Sequence, residues 1–299
     1  MYDLLILGAG PSGLTAGIYG ARAGLRTAII EKTSFGGQLA LTSEIENYPA
    51  FESISGFELA YKMQQQAEKL GVEFIYDEIT GVKLNSEIKQ VITEGARYEA
   101  KAVIISTGAK PRLLGLSSEQ RLTGSGVSYC ATCDGAFFKG KDVAVIGGGN
   151  TALEDAIYLS KFCNLVYLVH RRDKFRATKN EIDKLKDKQN VKSVLNSVVT
   201  DILGENKVEG IEVLSPDGKK TIELSGVFVA IGREPNSKLF DGQVNLTKEG
   251  YVKVDEDFRT NVKGVYAAGD VVSKSLRQVV TACSDGATAV NSVIADGDW

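Results

Sequence analysis

Hydrophobic and glycine-rich segments alternate in a fixed order near the start of the chain. The run Leu4–Leu7 is continuously apolar and has the length of a buried strand, and the glycine-rich segment Gly8–Gly13 follows it. Small and apolar residues at helical spacing over Leu14–Ala23 predict a helix, and Arg26–Ile30 predicts a second strand. A strand, a glycine turn, a helix and a second strand in this order are typical of a dinucleotide-binding module.

The same order of segments returns in the middle of the chain. Asp142–Ile146 and Leu165–Val169 predict strands, Gly147–Ala152 is the glycine turn, and Ala152–Phe162 predicts the helix. Internal repetition of a module predicts repetition of its site. We therefore expect two dinucleotide sites, and two dinucleotides in one small chain indicate electron transfer from one to the other.

Each copy of the module also ends in a related segment. Val103–Thr107 predicts a strand that runs into Gly108, and Val227–Ile231 predicts one that runs into Gly232 and Arg233. Because a glycine directly after a strand allows the backbone to turn close to a ligand, these residues are further candidates for cofactor binding.

The strand-glycine-acid segment Gly264–Val271 has no counterpart in the second copy. The simplest topology therefore inserts the second module into the first, and a length of 299 residues fits two domains. We expect an α/β protein with two Rossmann-like dinucleotide-binding domains of three layers. Residues 1–112 and 242–299 would form one discontinuous dinucleotide-binding domain, and residues 113–241 the inserted second domain.

The composition excludes several classes of site. The chain has one histidine and four cysteines, so a Ser-His-Asp triad or a histidine-rich metal site would depend on a single residue. The net charge of −3 gives no general attraction to nucleic acid or to anionic membranes. The N-terminus lacks the basic region of a signal peptide, and no apolar run is long enough to span a bilayer. We expect a soluble, cytoplasmic protein with no metal.

The residues at the ends of the two second strands predict different dinucleotides. Glu31 lies 18 residues after the last glycine of the first turn, where a carboxylate accepts hydrogen bonds from ribose hydroxyls. The equivalent position in the second copy is His170, followed by Arg171, Arg172 and Arg176. Arginines at this strand end favour the 2′-phosphate of NADP, whereas a solvated basic surface is the alternative interpretation.

Cys130 and Cys133 form a Cys-X-X-Cys motif, which Asp134 follows directly. Such motifs form reactive dithiols and disulfides, whereas a zinc site would need two further ligands with suitable spacing. Cys163 is expected on the apolar face of a helix and Cys283 near the C-terminal helix, both as core residues.

A nicotinamide gives up two electrons and a disulfide accepts two, so a flavin is expected between them. Asp134 is then the candidate proton donor to a departing thiolate.

The chain resembles the bacterial-type low-molecular-weight thioredoxin reductases over essentially its full length. The motifs that carry the resemblance are the glycine turns at 8–13 and 147–154, the segments 36–39 and 46–49, the cysteine motif 130–135, the basic segment 170–177, and the segments 264–271 and 277–278.

The resemblance implies a homodimer whose subunits each have an FAD-binding domain, residues 1–112 and 242–299, and an inserted NADPH-binding domain, residues 113–241. Electrons would pass from NADPH through FAD and the Cys130–Cys133 disulfide to oxidised thioredoxin. The two domains would rotate relative to each other during this transfer. Cys133 would be the thiol next to the flavin, Cys130 the thiol that attacks thioredoxin, and Asp134 the acid. The residues expected to contact FAD are Gly8, Gly10, Ser12, Gly13, Glu31, Gly37, Gln38, Asn47, Gly108, Asp270, Arg277 and Gln278. Those expected to contact NADPH are Gly147, Gly149, Asn150, Thr151, His170, Arg171, Arg172, Arg176, Gly232 and Arg233.

The sequence leaves three other functions open. The chain departs from the family pattern at Asn150 and Thr151 in the second glycine turn and at Ser284–Gly286 near the C-terminus. A ferredoxin-dependent flavin thioredoxin reductase and a flavin dithiol oxidase have the same fold. A redox-sensing flavoprotein without catalytic activity belongs to a different functional class.

Overall fold

The computed structural model describes residues 1–42 and 44–297. The chain forms two compact units. Met1–Lys110 and the chain from Glu234 onward form unit 1, and Pro111–Arg233 form unit 2. The two domain boundaries expected from the sequence lie two and eight residues later than these.

The secondary structure alternates strands and helices in both units. The strands are β1 (Tyr2–Leu7), β2 (Thr27–Glu31), β3 (Glu73–Tyr76), β4 (Ile79–Lys83), β5 (Lys89–Thr93), β6 (Arg97–Ile105), β7 (Ala109–Pro111), β8 (Val127–Ser128), β9 (Asp142–Ile146), β10 (Leu165–Val169), β11 (Val191–Val194), β12 (Val198–Leu203), β13 (Gly210–Ser215), β14 (Gly218–Glu223), β15 (Gly226–Val229), β16 (Arg233–Pro235) and β17 (Val265–Ala267).

The α-helices are α1 (Pro11–Arg22), α2 (Gly56–Lys69), α3 (Ser117–Leu122), α4 (Ala131–Asp134), α5 (Asn150–Leu159), α6 (Lys179–Lys186) and α7 (Val279–Asp296). Short 3₁₀ helices cover Gly37–Leu41, Gly135–Phe138, Lys238–Phe240 and Gly269–Val271.

A sheet of order β3-β2-β1-β6-β5-β4 forms the centre of unit 1, and β17 pairs with the C-terminal end of β6. The pairs among β3, β2, β1, β6 and β17 are parallel, whereas β5 is antiparallel to β6 and to β4. The central strand β1 is buried on both faces, with Leu4 and Ile6 in one apolar cluster and Leu5 and Leu7 in another. This is why its sequence is continuously apolar instead of alternating.

Unit 2 repeats this arrangement on a smaller scale. Its parallel sheet has the order β11-β10-β9-β15-β8, and an antiparallel sheet β12-β13-β14 accompanies it. Residues of β9 again alternate between two clusters, with Ala144 and Ile146 in one and Val143 and Val145 in the other. The carboxyl ends of β9 and β10 therefore point to the same edge of the sheet, where ligands bind in open α/β sheets.

Two predicted helix boundaries differ from the structure for identifiable reasons. The first helix begins at Pro11, not Leu14, since a proline has the backbone angle that the first helical turn requires. Helix α5 ends at Leu159, not Phe162, because the Asn190 amide donates to the carbonyls of Ser160 and Cys163. The expectation that Cys163 lies on a helix is wrong, although its side chain is buried in the core.

Within the described part of the chain, no helix combines the length and the apolar character that crossing a membrane requires.

Candidate active site

The glycine turn between β1 and α1 is held tightly against the end of β6. Gly8 has φ +110°, and a side chain there would meet the Ser106 carbonyl oxygen at 2.5 Å. A side chain at Gly13 would overlap the Gly8 carbonyl oxygen. Gly10 has no neighbour within 4 Å of the corresponding position. Gly8 and Gly13 are thus required by the fold, whereas the space at Gly10 is open for a ligand.

Glu31 lies at the end of β2, beside this turn. Its carboxylate accepts hydrogen bonds from the N–H groups of Ala9 at 3.0 Å and Lys32 at 2.8 Å. Gly37 approaches the turn from the other side, since a side chain there would lie 3.6 Å from the Gly10 Cα. The structure therefore brings Glu31 and Gly37 together around Gly10, and the exposed Gln38 follows directly in the same 3₁₀ helix.

The Gly269–Val271 turn also reaches this region. A side chain at Gly269 would overlap the Ser12 hydroxyl, so Asp270 lies close to the start of α1. The buried Asp285 carboxylate accepts hydrogen bonds from the Gly269 N–H at 3.0 Å and from Lys274 Nζ at 2.6 Å. Lys274 Nζ also lies 3.7 Å from Asp270 Oδ1. Lys274 and Asp285, which the sequence analysis did not identify as site residues, therefore hold the Asp270 turn.

The other predicted FAD residues of unit 1 lie at the start of α7 and after β6. Asn47 donates to the Gln278 amide oxygen at 3.0 Å, and Gln278 is the N-cap of α7. The Arg277 guanidinium lies 4.7 Å from the centre of the Tyr251 ring, and its buried Nε has no hydrogen-bond partner among the described residues. Gly108 has φ +69°, and its carbonyl oxygen accepts a hydrogen bond from the Asn236 N–H.

These features of unit 1 fit a flavin dinucleotide. The open space at Gly10 is where a dinucleotide fold admits a pyrophosphate, at the N-terminus of a helix. The half-exposed Glu31 carboxylate has remaining acceptor capacity for ribose hydroxyls. The unpaired Arg277 Nε is a buried donor that a ligand oxygen would satisfy.

The glycine turn of unit 2 has the same division of roles. Gly147 has φ +157°, and a side chain there would overlap the Ala230 carbonyl oxygen. A side chain at Gly148 would overlap the His170 imidazole, so this glycine is required by the packing of that ring. Gly149 has open space around it and precedes helix α5. Gly149 is therefore the position at which a phosphate can approach the backbone.

The basic segment after β10 is fastened to this turn by its backbone. The Arg176 N–H donates to the Gly148 carbonyl at 2.7 Å, and the Thr178 N–H donates to Asn150 Oδ1 at 2.8 Å. Arg171, Arg172 and Arg176 are exposed, and none of them has an ion pair within residues 1–42 and 44–297. Three unpaired guanidinium groups beside a glycine turn fit a phosphorylated ribose.

His170 lies beneath the turn rather than on the surface with the arginines. Its imidazole is 5% exposed, and its Nε2 has no hydrogen-bond partner in the described part of the chain. Burial, and then the positive charges of Arg176, Arg172 and Arg171, lower the pKa of His170 below its ordinary value. The ring is therefore neutral at pH 7 and contributes no positive charge to the basic segment.

The remaining predicted residues of unit 2 lie near this turn or on the connection to unit 1. Thr151 is exposed in the first turn of α5. Gly232 has φ +107°, and Arg233 Nη2 lies 3.5 Å from the Tyr129 carbonyl oxygen. The fully buried Glu119, which the sequence analysis missed, accepts a hydrogen bond from the Tyr129 hydroxyl at 3.0 Å. Two contacts thus fix the residue that precedes Cys130.

Cys130 and Cys133 form a disulfide in unit 2, with their Cα atoms 5.3 Å apart. Cys130 is the N-cap of the one-turn helix α4, and its carbonyl accepts hydrogen bonds from the N–H groups of Cys133 and Asp134. The Thr132 hydroxyl lies 3.4 Å from Cys130 Sγ. Cys133 is exposed and Cys130 is half-buried, so neither cysteine of the disulfide is buried in the core.

Asp134 is half-buried directly after Cys133. Burial raises the pKa of its carboxyl above the ordinary value, and a hydrogen bond from the Ser128 hydroxyl at 2.6 Å opposes the shift. A carboxyl whose pKa is raised holds its proton to higher pH. Asp134 is thus equipped to donate a proton to a thiolate.

Comparisons with known proteins show which family the chain is similar to. Residues 2–286 match the pyridine nucleotide-disulphide oxidoreductase family. A thioredoxin reductase of Peptoclostridium acidaminophilum is 46% identical over 298 residues, which cover 97% of this chain and 95% of that protein. The structure of thioredoxin reductase from Streptococcus pyogenes is 44% identical and covers 99% of this chain and 97% of its own, with a TM-score of 0.93. The Lactococcus lactis thioredoxin reductase in its FR conformation is 37% identical and covers 99% and 98%, with a TM-score of 0.68.

These matches confirm the fold class and the resemblance predicted from the motifs. The chain belongs to the pyridine nucleotide-disulphide oxidoreductase family and, within it, to the thioredoxin reductases.

Proposed function

We propose that this chain is an NADPH-dependent thioredoxin reductase that carries electrons through FAD and the Cys130–Cys133 disulfide. The observation that carries the proposal is an accessible disulfide, followed by a carboxyl of raised pKa, in the same unit as a basic nucleotide turn. When bound, FAD supplies the chemistry that converts the hydride of NADPH into reduction of the disulfide.

The chain's own residues then divide the reaction with thioredoxin. In the reduced enzyme, the Cys130 thiolate attacks the thioredoxin disulfide, and the leaving thioredoxin thiolate takes a proton from Asp134. The Cys133 thiol next attacks the Cys130 sulfur of the mixed disulfide, and its proton passes to the leaving thioredoxin sulfur. This step restores the Cys130–Cys133 bond and releases the second thiol. Two electrons from NADPH reduce one disulfide of thioredoxin in each cycle.

One experiment with four possible outcomes decides among the candidate functions. The purified flavoprotein is titrated without oxygen with NADPH, NADH and reduced ferredoxin, and oxidised thioredoxin is then added. We expect NADPH to bleach the flavin most effectively and thioredoxin to restore its colour. Reduction by ferredoxin alone would favour the ferredoxin-dependent enzyme. Return of colour only after air is admitted would favour the dithiol oxidase, and no turnover at all would favour the redox-sensing flavoprotein.

Replacing Arg171 and Arg176 together with alanine is expected to raise the KM for NADPH by about 10²-fold, because each arginine supplies charge-assisted hydrogen bonds to a phosphate. The KM for NADH should change little, since NADH has no 2′-phosphate. Lys179→Ala, which removes an exposed positive charge from the start of α6, is the control. Equal losses with both cofactors would contradict the assignment of the arginines to the phosphate.

A rotation between the two units is part of this proposal. The flavin residues belong to unit 1, whereas the disulfide and the NADPH residues belong to unit 2, and both must react with one flavin. An engineered crosslink between the units should permit at most one turnover. Undiminished steady-state activity of the crosslinked enzyme would contradict rotation.

A homodimer and a cytoplasmic location complete the proposal. The rings of Phe35, Phe57 and Tyr61 form a cluster with centroids 5.6 to 6.4 Å apart, and Phe57 and Tyr61 are exposed in the single chain. Exposed aromatic clusters are typical of protein interfaces. A second copy of the chain is the proposed occupant, and sedimentation equilibrium of the flavoprotein and of its Phe57→Lys variant tests it.

A further inference from the structure

The Ser128 hydroxyl lies between the Asp134 carboxyl and the backbone of Cys130. Ser128 ends strand β8, is 4% exposed, and pairs in parallel with Phe228 of β15. Its Oγ is 2.6 Å from Asp134 Oδ2, 3.1 Å from the Cys130 nitrogen and 3.4 Å from the Cys130 carbonyl oxygen. One buried hydroxyl therefore contacts the candidate acid and the peptide groups of the attacking cysteine.

A serine hydroxyl has one hydrogen and two lone pairs, so it can satisfy Asp134 in both protonation states. When Asp134 is ionised, the hydroxyl donates to the carboxylate and accepts from the Cys130 N–H. When Asp134 is protonated, the carboxyl O–H can donate to Ser128 Oγ, and the serine hydrogen can turn to the Cys130 carbonyl. An alanine at this position would leave the carboxyl without this partner in either state.

We propose that Ser128 is a positioning residue that holds Asp134 beside the disulfide and sets the pH range over which Asp134 donates its proton. The inference rests on the proposed function, in which Asp134 is the acid. As the Cys130 sulfur bonds to one thioredoxin sulfur, the thioredoxin S–S bond breaks and the leaving thiolate takes the Asp134 proton. The Ser128 hydroxyl then turns to the new carboxylate, and solvent later returns the proton to Asp134.

Titratable groups also lie on segments next to α4. Helix α5 packs on the segment after the disulfide, since Tyr158 and Leu159 at its C-terminal end contact Gly135, as does Phe162, which follows the helix. It carries Glu154 and Asp155, and burial and the charge of Glu154 raise the pKa of Asp155 to about 7, against the opposing charge of Arg233. Burial raises the pKa of Tyr129 to about 12, so this residue stays neutral.

Among the described residues, the pKa of Asp134 is shifted by two causes: burial, which raises it, and the Ser128 hydrogen bond, which lowers it. Glu154, Asp155 and Tyr129 do not contribute to this shift. Removing the hydroxyl should therefore change the protonation of Asp134, and a separate Asp155→Asn variant identifies any part of the pH profile that belongs to Asp155.

The test measures the pH dependence of kcat/KM for thioredoxin in the flavin-loaded enzyme. Because the protonated acid is the active form, activity falls as pH rises through the pKa of Asp134. The Ser128 hydroxyl bonds the charged carboxylate more strongly than the neutral carboxyl, and it therefore lowers the pKa of Asp134. Ser128→Ala should move this alkaline limb upward by about one pH unit. Ser128→Thr keeps the hydroxyl and should leave the limb near its original position.

Asp134→Asn separates failure of this inference from failure of the proposed function. If Asp134→Asn keeps the full rate and the limb, Asp134 is not the acid and that part of the proposed function fails. If Asp134→Asn loses the limb but Ser128→Ala leaves it in place, the role of Ser128 is overturned while the proposed function stands. A uniform loss of rate at every pH in Ser128→Ala would mean that Ser128 is only structural, which also overturns the inference.

Flavin absorbance and thermal midpoints establish that each variant is folded. Should Ser128→Ala fail to fold, Ser128→Gly provides the measurement, since it also removes the hydroxyl and adds no atom at this buried position. Its alkaline limb should lie above that of the unmodified enzyme, and an unmoved limb would overturn the proposal.

Discussion

Replacing Cys133 with serine is expected to abolish reduction of thioredoxin, with a loss of roughly 10³-fold or more in kcat, because the disulfide that receives the electrons cannot form. The variant should still bind FAD, and NADPH should still bleach it, since Cys133 lies outside both glycine turns. Stopped-flow absorbance of the flavin, first with NADPH and then with oxidised thioredoxin, measures both steps. We expect fast bleaching and no return of colour in the absence of oxygen.

Cys283→Ser is the matched control for this experiment. Cys283 lies in helix α7 with a half-buried side chain, outside the Cys130–Cys133 disulfide, and the change to serine replaces only its sulfur atom. This variant should retain the full rate with thioredoxin. Turnover of Cys133→Ser with thioredoxin at a substantial fraction of the normal rate would contradict the assignment of the disulfide as the electron carrier.

The sequence predicts best the elements whose pattern is local. The strands Asp142–Ile146 and Leu165–Val169 have the predicted bounds at both ends, because each is a short apolar run that ends where the glycine or basic segment starts. The helix that ends at Leu159 is different, since the amide that caps it comes from Asn190 on a distant part of the chain. A local pattern contains no information about such a partner.

The supporting residues of the site also depend on contacts between distant segments. In the sequence, Asp285 stands out only because the segment Ser284–Gly286 departs from the family pattern. Its pairing with Lys274 behind Asp270 follows from the packing of α7. Glu119 is a charged residue in a short helix, which by pattern alone indicates an exposed position, yet it is fully buried by its hydrogen bonds. The sequence next to a charged residue does not show whether distant segments will supply the hydrogen-bond donors that allow it to be buried.

Gly148 illustrates the same limit within a recognised motif. The dinucleotide pattern constrains Gly147 and Gly149 and leaves the position between them free. In the structure, the His170 ring occupies the space of a side chain at Gly148. The sequence placed His170 in the basic segment, but not beneath the turn, because the motif does not state which way the ring points.

Gly10→Ala is expected to give a folded protein that has lost most of its flavin. The backbone at Gly10 has φ −73°, which alanine adopts readily, and a side chain there meets no protein atom within 4 Å. It would occupy the space through which a pyrophosphate reaches the N–H groups at the start of α1. Each charge-assisted hydrogen bond contributes about 1.5–3 kcal/mol, so losing one weakens FAD binding by roughly tenfold to a hundredfold.

Gly13→Ala, in the same turn, provides the contrast that makes this result specific. A side chain at Gly13 would overlap the Gly8 carbonyl and lie 2.8 Å from Ser106 Oγ. This variant should therefore lose about 3 kcal/mol or more of folding stability even without flavin. Thermal melting of the flavin-free proteins and fluorescence titration with FAD measure the two effects separately. If Gly10→Ala binds FAD as tightly as the unmodified chain, the added methyl group does not meet the cofactor. The pyrophosphate would then not lie in the open space at Gly10, which contradicts the assignment of this turn.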